Sequence, residues 1–151
     1  MTERTQLIQA AIAEVQELRK VQFNGPDEQV QQLLDSYLPE DSLADLLWAD
    51  AGAEASVQDI ADLLSLWSWR TDDNGSGIMR TMERWIEEGT DSKKIAVALE
   101  LDAYPFIDHR VRIAKLQCVA AKFPELAQRC QLIITKSKNL IERESYRGAS
   151  T

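Results

Sequence analysis

The sequence predicts an all-α, single-domain antiparallel helical bundle of about seven to eight helices. Three observations carry this expectation. Apolar residues recur at spacings of three and four along every long segment, and none sustains strand alternation. Clusters of Gly, Pro, Asn and Asp interrupt that pattern at short intervals, each beside a residue suited to start or stop a helix. The 151 residues, 44% of them apolar, suffice for one packed core. The domain is expected to occupy residues 1–145, with 146–151 a frayed tail.

The first helix is expected from about Thr5 to Gln22, with Ile8, Ala11, Ile12, Val15 and Leu18 as its stripe. Asn24-Gly25-Pro26 stops it and starts the second, since Gly suits a helix C-cap and Pro a first turn. The second helix should bury Val30, Leu33, Leu34, Tyr37 and Leu38 and end at Pro39. A short third follows Asp41 or Ser42 and carries Leu43, Leu46, Leu47 and Trp48. After the small residues Asp50 to Ala55, Ser56 reads as an N-cap with Asp59 as its acidic capping-box partner. The fourth helix uses Val57, Ile60, Leu64 and Trp67, widened by Leu63, Leu66 and Trp69.

Thr71-Asp72-Asp73-Asn74-Gly75-Ser76-Gly77 is the strongest breaker in the chain. The fifth helix presents Ile78, Met79, Met82, Trp85 and Ile86, and Gly89 closes it. The sixth starts at Thr90 or Asp91 and carries Ile95, Ala98, Leu99 and Leu101. Tyr104-Pro105 breaks the pattern again. The seventh, about Ile107 to Lys122, is apolar on two sides, with Val111, Ala114, Cys118 and Ala121 on one of them, and is expected to be the central, most buried helix. Pro124 opens the eighth, which should bury Leu126, Ala127, Cys130, Ile133, Ile134, Leu140 and Ile141. Short turns between such helices favour antiparallel neighbours, and the last two read as a helical hairpin.

No apolar run approaches the roughly 18 residues of a membrane span, and the polar start Met1 to Gln6 lacks the pattern of a signal peptide. The expected location is therefore cytoplasmic. Cys118 and Cys130 fit it as two reduced, buried small hydrophobes, although their helices could bring them together. With His109 as the single histidine they cannot complete a structural zinc site.

The formal charge of −8 is unevenly spread. From Asp27 to Asp91 sixteen Asp and Glu face three Arg and no Lys, a net −13. From Tyr104 onward four acids face nine bases, a net +5. Solvated helix faces often carry acids. A block this one-sided also attracts basic partners and speeds encounter, and it argues against nucleic acid binding by the first two thirds of the chain. Nothing reads as an active site. The histidine begins a helix beside charged residues, no strand leads into a glycine-rich phosphate loop, and carboxylates are too abundant to single out a pair. The chain is expected not to be an enzyme.

The segment from Asp72 to Glu83 invites two resemblances. Oxygen-bearing Asp72, Asn74, Ser76 and Glu83 stand at positions one, three, five and twelve, with Gly77 at six, the backbone of Ile78 at seven and Met79 at eight. This resembles an EF-hand calcium loop, and the resemblance implies calcium as a ligand. Ser76, Gly77, Ile78, Thr81 and Trp85, preceded by Asp72-Asp73 and closed by Gly89, also resemble the immunity proteins of nuclease colicins over about twenty residues. Those are small acidic helical proteins that bind and block a toxic DNase inside the producing cell. The segment also reads simply as a helix-loop-helix turn with Ser76 as N-cap.

The first expectation is therefore a non-enzymatic acidic immunity protein that sterically inhibits a basic partner, a cognate toxin, with no cofactor. Its candidate contacts are Asp59, Asp62, Trp67, Trp69, Asp72 and Asp73, the aromatics as anchors and the carboxylates as steering charges. An acidic adaptor or nucleic-acid mimic acting on another basic protein is the second expectation, and a calcium protein the third.

Overall fold

A computed structural model describes residues 2–149, with side chains through Arg147. Among the described residues there are eight α-helices, one 3-10 turn and no strand: α1 Glu3–Lys20, α2 Glu28–Tyr37, α3 Leu43–Ala51, α4 Val57–Ser68, α5 Ser76–Glu88, α6 Ser92–Glu100, α7 His109–Lys122 and α8 Ala127–Ala149, with the turn at Pro124–Leu126. The all-α bundle expected from periodicity is the observed fold. No described helix is long and apolar enough to cross a membrane.

Helix α4 is the centre. It packs on α1, α2, α5 and α6, and Ile60, Ala61, Leu63, Leu64 and Trp67 are all buried. Apolar residues around most of its circumference leave Gln58 as its one exposed residue. Around it, α1 pairs with α2, α3 with α5 and α5 with α6, while α7 and α8 form the expected hairpin. Trp67 and Trp85 are buried whole. The Trp67 indole donates to the Val30 carbonyl at 3.1 Å, and the Trp85 indole to Asp45 Oδ1 at 3.0 Å, so neither buried N–H lacks an acceptor.

Three expectations are corrected. Helix α7 is peripheral, not central. Only Arg112, Leu116 and Val119 are buried along it, while Val111, Ala114, Cys118 and Ala121 are exposed. Two apolar arcs of mostly small side chains mimic a buried helix in sequence but offer less area to bury than the leucines of α4. Cys118 is consequently an exposed free thiol and Cys130 a buried one. Leu38 lies past the end of α2, in extended backbone, and is 46% exposed. Helix α8 runs to Ala149, and residues 150 and 151 of the expected tail lie outside the described residues.

Candidate functional site

The loop between α4 and α5 is built by its own side chains. Gly75 has φ +81°, and a Cβ there would stand 2.6 Å from Ser68 Cβ, so the position requires glycine for both conformation and space. Asp73 ties the turn together: Oδ1 accepts from the Gly75 N–H at 3.0 Å and from Thr71 Oγ1 at 2.8 Å, and Oδ2 accepts from the Gly77 N–H at 2.9 Å. Those bonds hold its carboxyl below the usual carboxylate range, the Thr71 bond most of all. Ser76, expected as N-cap, is instead the first residue of α5. Its hydroxyl donates to the Asp73 carbonyl, and Asp73 supplies the carboxylate that caps the helix start.

The loop separates two depressions. On one side is a groove of about 370 Å³ lined by Glu40, Asp41, Asp72 and Asp73, together with Leu38 and Arg70. Glu40 and Asp41 come from the α2–α3 turn, about thirty residues away in sequence. The arginine does not neutralise them, because it pairs with Asp27 and donates to Gln31 Oε1 at 2.9 Å. The carboxylates of Glu40, Asp41 and Asp72 are exposed and make no hydrogen bond or ion pair with any described residue. On the other side is a cleft of about 500 Å³ among the end of α4, the start of α5 and the segment 101–107. Trp69 and Ile107 stand on it with 79% and 91% of their surfaces exposed.

The six expected contact residues fall into three groups. Trp69 and Asp72 are exposed and flank the same loop. Asp73 is exposed but committed to the turn. Asp59, Asp62 and Trp67 are buried and correct the expectation that they meet a partner. Trp67 turns inward two positions before the exposed Trp69, with the Tyr37 ring packed edge-on at 5.8 Å. Arg19 of α1 reaches both carboxylates of α4, with Nη2 at 2.8 Å from Asp59 Oδ1 and from Asp62 Oδ2. Gln16 and Gln58 donate to the two remaining oxygens, so this pair holds α1 against α4. Burial pushes the Asp59 carboxyl up, but hydrogen bonds with Arg19, Gln16 and Ser56 outweigh it and hold it below the usual range.

The calcium-loop residues are also placed. Asp72 faces the acidic groove, whereas Asn74, Ser76 and Glu83 line the apolar cleft. Ile78, expected to contribute its backbone carbonyl, is already inside α5 and 97% buried against the core, with 3% exposed. Glu83 Oε2 accepts from the Phe106 N–H at 2.7 Å and so fastens the segment before α7. Among the described residues, no three His, Cys, Asp or Glu side chains converge as a metal would need. Of the residues that carry the immunity-protein resemblance, Ile78, Thr81 and Trp85 are buried in the core face of α5, and Ser76 is exposed at its start.

Glu40 and Asp41 are not among the expected contacts, being two acids of many in the sequence. The signal available was their position directly after Pro39, in a turn that leaves both side chains in solvent. No protein-family model, curated protein or solved structure matches this chain.

Proposed function

We propose that this protein is a non-enzymatic acidic inhibitor of the immunity type, which binds a basic protein partner through the surface around the α4–α5 loop. The single observation that carries the reading is the meeting of unpaired Glu40, Asp41 and Asp72 with the exposed indole of Trp69 across one glycine-pinned loop. Carboxylates with no internal partner retain their full field for steering a basic surface, and an exposed tryptophan is the side chain most often found at the energetic centre of an interface. The loop is held by internal hydrogen bonds, so little ordering entropy opposes association. Inhibition on this reading is steric, with no turnover.

Co-expression with a growth-arresting basic domain, sought among the products of the genes beside its own, tests the reading. The chain should restore growth, and the combined Glu40→Lys, Asp41→Lys and Asp72→Lys variant should lose the rescue while melting as the parent does. A chain that forms no complex with that domain and leaves its toxicity unchanged overturns the proposal.

A further inference from the structure

The second depression beside the loop is apolar, and its walls are fastened. Trp69, Met79, Leu101, Tyr104 and Ile107 supply its large apolar side chains. Three hydrogen bonds keep the far wall from collapsing onto them. The Asp102 N–H donates to Ser65 Oγ at 3.2 Å, the Phe106 N–H to Glu83 Oε2 at 2.7 Å, and Arg112 Nε to the Pro105 carbonyl at 2.9 Å. Phe106 sits at φ +62°, a conformation a bulky side chain rarely adopts, and the Glu83 carboxylate on its N–H holds it there. The cleft is therefore preformed, and its 500 Å³ lies within the range of sites that enclose a side chain or small ligand.

The charges around it select the occupant. Glu83 and Asp102 line the cleft against Arg80 as its one basic lining residue, the buried Arg112 sits behind it 5.5 Å from the Tyr104 ring, and across the loop the groove adds Glu40, Asp41, Asp72 and Asp73. On the side of the loop and the groove beyond it, an anionic ligand meets mainly carboxylates. A segment in which an apolar side chain stands between lysines or arginines meets complementary charge on its flanks and apolar surface at its centre.

Resting on the basic-partner reading above, we infer that this cleft is an anchor pocket for one large apolar side chain of the partner, set in a basic segment. Trp69 at its mouth closes over that side chain, and the acidic groove takes the flanking bases.

The test uses the full chain and two synthetic decapeptides, each with two lysines on either side of a central residue, leucine in one and alanine in the other. The leucine peptide should bind about tenfold more tightly, the difference in buried apolar area between the two side chains. It should also shift tryptophan emission to the blue, and Trp69→Phe should remove that shift. Ala103→Trp, which fills the cleft from an exposed position, should erase the preference for leucine but keep salt-sensitive binding of both peptides. Equal, salt-sensitive affinity for the two peptides overturns the anchor pocket and leaves the basic-partner reading standing. No binding of either peptide overturns both. A blue shift that grows with protein concentration in the absence of peptide puts a second copy in the cleft and overturns the inference.

Discussion

Replacing Asp59 by Ala should destabilise the protein without touching its binding surface. The residue is 6% exposed, and its two carboxylate oxygens accept from Arg19 Nη2 at 2.8 Å and Gln16 Nε2 at 3.1 Å. Hydrogen bonds to a charged group are worth about 1.5–3 kcal/mol. The cost stays in that range, below the roughly 3–5 kcal/mol for breaking a fully buried pair, for two reasons. Arg19 keeps 38% of its side chain in water, and Asp62 remains beside it as a second partner. For a chain of this size the loss lowers the melting temperature by about 3–12 °C. The pH dependence has a definite sign. The folded Asp59 carboxyl titrates below its unfolded value of about 3.9, so its contribution is complete above that pH and is lost as pH falls through the lower folded value. Circular dichroism melts of parent and variant should therefore differ fully at pH 7 and converge below about pH 4. Identical melts at pH 7, together with slower association with a basic partner, would refute the reasoning and return Asp59 to the surface.

Other perturbations separate the turn from the surface it carries. Asp73→Ala removes the acceptor for two backbone N–H groups and should cost about 0.5–2 kcal/mol in urea unfolding, as loss of a helix cap does. Gly75→Ala should cost more than the roughly 1 kcal/mol of a left-handed alanine, because its Cβ also meets Ser68, and a neutral result in the same assay would contradict the turn geometry. Glu83→Ala should speed amide exchange at Phe106 by at least tenfold, whereas Glu83→Gln, which retains an acceptor, should have the smaller effect. Cys118 should react rapidly with a thiol reagent under native conditions and Cys130 only on unfolding, as their exposures require.

The helices were legible because their determinants are local. Ser56 accepts from the Asp59 N–H as the capping pattern implies, and Asp91 and Asp108 cap the starts of α6 and α7. Helix order and type need only periodicity and breakers. What the sequence concealed is tertiary. Trp67 and Trp69 differ by two positions, and only the packing of α2 on α4 buries one and leaves the other in solvent. Asp59 and Asp62 read as surface acids until Arg19, forty residues upstream, is folded against them. Helix α7 shows the same limit. Its periodicity marks apolar arcs, but which of them finds a neighbour depends on helices distant in the chain.

The most direct test of the acidic and aromatic surface is nitrogen–proton chemical-shift mapping of the full chain titrated with the leucine-centred lysine peptide. The largest changes should fall on the Trp69 indole N–H and on the backbone of residues 40–41, 69–76 and 102–107. They should disappear in the variant carrying Glu40→Lys, Asp41→Lys and Asp72→Lys. Changes concentrated on α1 around Arg19, Asp59 and Asp62, or an unchanged pattern in that variant, would contradict the account.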